Sequence, residues 1–491
     1  MPQTPPNVLL ITTDQHRADC LGIAGHPVLQ TPNLDHVAAS GARFARAYSE
    51  SPVCIPARRT LLTGLAPASH GVVGFSDTTL DAPTVAQRLR DGGYQTALCG
   101  KLHLWPHRCR YGFEEFHWDD GPSTSSHAAG DYAAYLRSRG LADQVDVHGV
   151  GSESSVVRPW HLDERHHVAN WTADRAVDFL RRRDPTRPFF LNVGFFHPHP
   201  PLTPPACYLD RYLRLAERDP EPFLDVAGGA WSTLDNDPRD PAGRSPSDPR
   251  QRLGRQALLQ LRAGYWAQIN HVDDQIQRIL AATDQRNTLV IFTSDHGEML
   301  GDHDWMRKRV PFEPSARVPM VVRPPTSWGV EGRQTRDELV GLQDVTPTIL
   351  DAAGLPPMEK ADGRSLLPLL QGSSASWRDE LHGESCEVRN SFERPTGMQY
   401  LVTSAGERWE RRWKFCWFPG IGRAMLFDLD ADPRETKDLS SDPSHAALLA
   451  EIQRTLASLL ADRPEGFVRD GELVELEGAT TPILPGSSRD R

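Results

Sequence analysis

Four short apolar runs along the chain each break abruptly into polar, chemistry-bearing residues. Residues 7–13 (NVLLITT) run into Asp14-Gln15-His16, and residues 289–294 (LVIFTS) run into Asp295-His296-Gly297. Residues 94–100 lead to Lys101 and His103, and residues 189–196 lead to His197-Pro198-His199. Unbroken runs of this length, rich in β-branched residues, predict strands buried on both faces of a parallel sheet. Ligands of such sheets gather beyond the carboxyl ends of the strands. The pattern therefore aims acids, bases and a lysine at one crevice.

Between these runs the apolar positions recur at helical spacing. Amphipathic helices are predicted over 34–42, 84–92, 168–183 and 258–282, the last presenting Tyr265, Ile269, Val272, Ile276 and Ile279 to a core. The alternation predicts an α/β fold: a large mixed, mostly parallel sheet flanked by helices. Past Leu370 the pattern changes to short alternating runs at 398–404, 411–418 and 424–429, then a helical run over 445–461 and a tail from Asp470. The expected division is a catalytic α/β domain over 1–370 and a smaller C-terminal α+β subdomain over 371–491. That subdomain combines an antiparallel sheet, a helix and an extended tail. Two irregular stretches, 121–159 and 217–256, interrupt the rhythm and read equally as solvated loops or as binding edges.

The segment Ser51–Gly64 (SPVCIPARRTLLTG) joins a cysteine to a helix start. Pro56 fits a first helical turn, where its missing N–H has no partner to lose. Cys54 then stands at the helix entrance, where free N–H groups favour an anion, and Arg58 at i+4 faces the same point. A cysteine so placed is expected to be reactive. Asp14, Gln15 and Asp295 offer oxygen ligands and His296 a nitrogen, a set that suits a hard divalent cation better than zinc. Taken singly, either aspartate reads as well as a helix N-cap following a strand.

Composition narrows the field. With 491 residues, 38% hydrophobic, the chain is long enough for one large domain and a smaller one. A net charge of −11 argues against nucleic acid as the main partner. Seven cysteines in so long a chain make no disulfide framework. The first residues, MPQTPPNVLL, show no basic segment followed by a long apolar stretch. No signal peptide, no membrane span and a cytoplasmic location are expected.

The motif Cys54-x-Pro56-Ala57-Arg58 with Leu61, Thr63 and Gly64 resembles the signature of the sulfatases, whose cysteine is oxidised after translation to formylglycine. The resemblance extends over roughly residues 7–370: NVLLI-x-TDQ, GK-x-H, PHPP, TSDHGE-x-LGDH, the stretch from Lys308 to Pro319, and the run from Val345. It implies the alkaline phosphatase superfamily fold. It implies that Asp14, Gln15, Asp295, His296 and the modified Cys54 hold one divalent cation, calcium in most of the family and magnesium or manganese in some relatives. It further implies that Arg58 steadies the hydrated aldehyde and that Lys101 and Lys308 contact sulfate. His103 would be the base and His199 the acid, helped by Lys308. His16, His197 and His303 are read as structural.

The Asp-Gln and Asp-His pairs look more like choline sulfatase and the phosphonate monoester hydrolases than like arylsulfatases with Asp-Asp and Asp-Asn. The expected activity is hydrolysis of a sulfate monoester of a small molecule or saccharide. The alternatives are a phosphonate monoester or phosphodiester hydrolase, and a non-catalytic anion-binding protein on the same scaffold. A formylglycine-generating enzyme is the expected maturation partner, and a homo-oligomer is compatible. Residues 383–395 with Trp409, Trp413 and Trp417 are read either as pocket lining or as core and turn.

Overall fold

Eight strands follow one another along the chain as β1 (Asn7–Asp14), β2 (Ala42–Tyr48), β3 (Gln95–Gly100), β4 (Glu115–Trp118), β5 (Phe189–Pro198), β6 (Thr288–Ser294), β7 (Met320–Arg323) and β8 (Gln334–Gly341). They form one sheet in the order β4-β3-β5-β1-β6-β7-β2-β8. Only β7 runs antiparallel to its neighbours. The computed structural model describes residues 5–121, 130–142, 149–228, 253–372, 376–386, 397–476 and 481–484.

Alternate residues of the central strand face opposite layers, which is why the apolar runs are unbroken. Val8 and Leu10 pack with the helices Cys54–Thr63, Val85–Asp91 and Val345–Ala352. Leu9 and Ile11 pack with the helices Pro32–Ala39, Val168–Arg182 and Arg255–Ala281. The long Arg255–Ala281 helix divides its apolar residues: Val272, Ile276 and Ile279 face the sheet, whereas Tyr265 and Ile269 meet Leu202, Tyr212 and Phe223. Among the described residues no helix is long and apolar enough to cross a membrane.

A second, antiparallel sheet, β12-β11-β10-β9, is built from β9 (Glu380–Ser385), β10 (Met398–Thr403), β11 (Trp413–Phe418) and β12 (Arg423–Asp428). One face, with Tyr400, Val402, Phe418 and Phe427, packs on Tyr48, Phe312 and Leu339 of the main body. The other carries Trp413 and Trp417, which together with Trp409 pack against the helix Ala446–Leu460 through Ile452, Leu456 and Leu460. These three tryptophans are core, not pocket lining. Residues 383–385 belong to β9, and 387–395 lie outside the described residues.

Other expectations need correction. The helix placed over 34–42 ends at Ala39, and β2 begins at Ala42. Gly41 makes that switch possible, since a Cβ there would lie 2.3 Å from Val322 O. Strand β2 itself was hidden by Arg43 and Arg46, which interrupt its apolar alternation. The tail is not simply extended. Val468–Arg469 pairs with Glu472–Leu473, and further on Ile483 bridges to Val72 while the Val73 N–H donates to Pro482 O at 2.8 Å. Of the stretch 217–256, residues 229–252 lie outside the described residues, as do 122–129 and 143–148 of the stretch 121–159.

Candidate active site

The strand ends that the apolar runs pointed to are those of β3, β5, β1 and β6, four consecutive neighbours in the sheet. They finish level: Thr12 stands opposite both Gly194 and Thr293, and Gly100 stands opposite Gly194. Gly100 and Gly194 make a close backbone pass. A Cβ on Gly100 would lie 2.1 Å from Gly194 O, and one on Gly194 would lie 2.1 Å from Lys101 O. That pass, sealed by the Lys101 N–H donating to Gly194 O at 2.7 Å, turns the Lys101 side chain toward Asp14. On β1 the register shifts between Thr12 and Asp14, and Gln15 turns the chain with a φ of +69°.

Beside these ends the ten-residue helix Cys54–Thr63 is buried along its whole length and stops at Gly64, in the left-handed region. Cys54 is its first residue, and Arg58 one turn later reaches the same point. Arg58 Nε donates to Asp295 Oδ2 at 2.8 Å, with its terminal nitrogen 3.7 Å from Asp14 Oδ2. Lys101 Nζ lies 2.5 Å from Asp14 Oδ2. Burial alone would raise the Asp14 carboxyl, but Lys101, then His199, His296 and Arg58, hold it well below the usual range.

Asp14, Cys54, Asp295 and His296 bring their donor atoms within 4.8 Å of one another, all four buried. His296 Nδ1 lies 3.0 Å from Gly297 O, which can only accept, so Nδ1 carries the proton and Nε2 presents a lone pair. That lone pair faces Cys54 Sγ at 3.1 Å, Asp14 Oδ1 at 3.6 Å and Asp295 Oδ1 at 3.7 Å. A thiol proton can satisfy one such contact, not three. Electron-rich atoms so crowded repel unless a cation lies among them, so the donor set fits a divalent cation. Gln15 is engaged differently: its Oε1 accepts from Lys308 Nζ at 2.6 Å and its Nε2 donates to Glu298.

Two histidines flank this centre. On one side His103 follows Lys101, and Asp120 Oδ1 accepts the backbone N–H groups of both Leu102 (3.0 Å) and His103 (2.8 Å). Burial, reinforced by Lys101, pushes His103 well below the ordinary imidazole value, and its Nδ1 has no hydrogen-bond partner among the described residues. A neutral imidazole with an available lone pair can take a proton. On the other side His199 Nδ1 donates to Pro200 O at 2.7 Å, so its Nε2 accepts from Lys308 Nζ at 2.8 Å. Burial, then Lys308, lowers the His199 pKa. The proton on this side is carried by Lys308.

All ten candidate residues thus fall in or against one buried centre, except that Gln15 turns its amide to Lys308. With no cation among these donors, burial, with Asp14 adding to it, pushes the Cys54 thiol up to about 12 despite Lys308 and Lys101. The histidines read as structural are so engaged: His16 Nε2 donates to Cys20 O at 2.8 Å, His197 Nδ1 meets Gln268 Nε2 at 3.1 Å, and His303 stacks on Phe312. Sequence reasoning missed Asp120, Glu298 and Glu153. Asp120 sits just past an edge strand that had no apolar signal, and Glu298 lay inside a quoted motif without a role. Glu153 lay in an irregular stretch that nothing in the sequence tied to the site.

The sulfatase family model matches residues 6–355, more than two thirds of the chain. The chain belongs to the sulfatase family. A second family model, the C-terminal region of N-sulphoglucosamine sulphohydrolase, matches residues 301–462. An arylsulfatase of Clostridium perfringens (strain 13 / Type A) is 35% identical over 96% of this chain and 97% of its own. The multifunctional alkaline phosphatase superfamily protein PehA of Trinickia caryophylli is 30% identical over 93% of this chain and 95% of its own. Among solved structures, the phosphonate monoester hydrolase of Agrobacterium radiobacter aligns with a TM-score of 0.73 and 27% identity, covering 93% of this sulfatase and 95% of that chain. The sulfatase family membership makes this protein an enzyme and sets aside the reading as a binding scaffold.

Proposed function

We propose that this sulfatase hydrolyses a sulfate monoester with residue 54 in the formylglycine form. The observation that carries this reading is the convergence of Asp14, Cys54, Asp295 and His296 on one buried point ringed by Arg58, Lys101 and Lys308. A hydrated aldehyde at residue 54 offers two hydroxyls at that point. Asp14, Asp295, His296 and residue 54, with Gln15 after a turn of its amide, would hold a divalent cation, calcium being the family's usual metal. Bound there, it would supply positive charge that eases loss of a hydroxyl proton.

The chain's own groups then divide the work. One hydroxyl of residue 54 releases its proton to solvent and attacks sulfur, and the S–O bond to the alcohol breaks as Lys308, sharing its proton with His199, protonates the leaving oxygen. Lys101 and Lys308 offset charge on the sulfuryl oxygens, and Arg58 steadies the diol. His103 takes the proton of the second hydroxyl, the C–O bond to sulfate breaks, and the aldehyde returns.

The test is the mass of the tryptic peptide 47–58 from a host able to make formylglycine, together with turnover of an aryl sulfate. A peptide lighter by the exchange of thiol for aldehyde, with turnover, is the expected result. An unmodified thiol with no turnover under added calcium or manganese sinks the reading. The likeness to the phosphonate monoester hydrolase favours a second activity on aryl phosphonates, and the ratio of the two rates ranks them.

A further inference from the structure

Glu153 stands against the proton-donor side of the centre, where a carboxylate is unexpected. Its Oε1 lies 3.5 Å from His199 Nε2 and 3.7 Å from Lys308 Nζ, and its Oε2 lies 3.4 Å from Arg307 Nε. Charge-assisted hydrogen bonds close to about 2.7–2.9 Å, so none of these contacts uses the full acceptor capacity of the carboxylate. Lys308 is committed elsewhere, to Gln15 at 2.6 Å and His199 at 2.8 Å. One third of the Glu153 side chain remains exposed. Against the effect of burial, Lys308, then His199 and Arg307, hold its carboxyl well below the usual range.

The chain is anchored beside the site a few residues past Glu153. The segment carrying Glu153 hydrogen-bonds to the stretch that follows His199: the Arg158 N–H donates to Leu202 O at 3.0 Å and the Trp160 N–H to Pro204 O at 2.9 Å. Val157 fills the space over Gly264, where a Cβ would lie 2.5 Å from Val157 Cγ1. The stretches that follow Glu153 and His199 are therefore paired with each other.

A fixed anion beside the lysine that faces sulfate weakens binding of the sulfuryl group. The arrangement is favourable overall only if the rest of the substrate gives something back at the same place. We propose that Glu153 is a specificity-determining residue that accepts a hydrogen bond from a hydroxyl on the carbon next to the one bearing the sulfate. His199 and Lys308 must come within hydrogen-bond reach of the ester oxygen, and a hydroxyl one carbon away then falls within reach of Glu153. The inference rests on the sulfate ester reading above.

The test compares 2-hydroxyphenyl sulfate with 2-methoxyphenyl sulfate, which differ in the donor and little in the leaving oxygen. The matured enzyme is expected to favour the hydroxyl compound by about tenfold in kcat/KM, the scale of a hydrogen bond to a charged group. Glu153→Gln should reduce that ratio to roughly threefold or less, and Glu153→Ala should bring it to about one, by the same bond's loss. Because the ratio is internal to each variant, partial unfolding does not alter it. A ratio near one in the wild type, or equal losses on both compounds in the variants, overturns the inference. Turnover of neither sulfate by the wild type overturns the sulfate reading itself, and this inference with it.

Discussion

Lys101 Nζ and Asp14 Oδ2 meet at 2.5 Å although their strands, β3 and β1, are separated in the sheet by β5. The pair is buried to 1% and 0% side-chain exposure, so each charge depends on the other. Burial works against the Lys101 ammonium, and Asp14, followed by Cys54, raises its pKa above the ordinary lysine value. Lys101→Ala leaves Asp14 with Arg58, at 3.7 Å, as its nearest permanent cation. The expected cost is about 3–5 kcal/mol of stability, as for other broken buried pairs, and a fall in kcat of about 10²–10³ from the lost electrostatic stabilisation. Chemical denaturation and steady-state kinetics on an aryl sulfate read the two effects separately. An unchanged kcat would remove Lys101 from the sulfate contacts.

His296 Nε2 aimed at Asp14, Asp295 and Cys54 gives a second expectation. Chelation should abolish turnover and lower the melting temperature by a few degrees, since a ligand bound at 100 times its Kd adds about 2.7 kcal/mol. Calcium, magnesium and manganese added back singly identify the ion by recovery of both signals. His296→Ala should remove the metal-dependent part of the melting temperature. A melting curve indifferent to chelator would exclude a cation from this cluster.

The site was legible in the sequence because its residues follow directly on buried strands. An apolar run that stops at Asp14, Lys101, His197-Pro198-His199 or Asp295 marks both the strand and its functional end. The edge of the sheet was less legible. β4 is four residues long and only half buried, and β2 carries two arginines, so neither leaves an apolar run. Asp120 and Glu153 were missed for a related reason: each acts through a tertiary contact with a strand-end residue, and no local periodicity encodes such a contact. At Cys54, helix-entrance logic counts the N–H groups and Arg58. It leaves out the burial and the neighbouring carboxylates, which dominate here.

Trp417 separates core from pocket in the C-terminal sheet. It is 4% exposed and meets Phe467 edge-on at a centroid distance of 5.7 Å, beneath the helix Ala446–Leu460. Trp417→Ala should cost about 3–5 kcal/mol of stability through the cavity left behind, with KM for an aryl sulfate unchanged in the folded fraction. A raised KM without loss of stability would return this tryptophan to the substrate pocket.

Glu50 gives the stability a pH dependence. It is 1% exposed, its two carboxylate oxygens accept the N–H groups of Leu342 (3.2 Å) and Gln343 (3.1 Å), and its carbonyl accepts from Glu384 N–H at 2.8 Å. Burial raises its carboxyl from 4.5 to about 8, Asp344 adding to the rise while the backbone donors and Arg378 oppose it. Between those two values the folded chain holds a proton at this site that the unfolded chain has released. Stability from this group is therefore present below about pH 4.5 and falls as pH rises through about 8. A one-proton difference gives a slope of about 1.4 kcal/mol per pH unit within the window. Glu50→Gln cannot ionise, so its unfolding free energy, measured by denaturant titration from pH 5 to 8, should decline less steeply than the wild type by up to that slope. Parallel pH profiles for the two proteins would show that Glu50 is already charged in the folded state, held there by the Arg378 guanidinium and the two backbone donors.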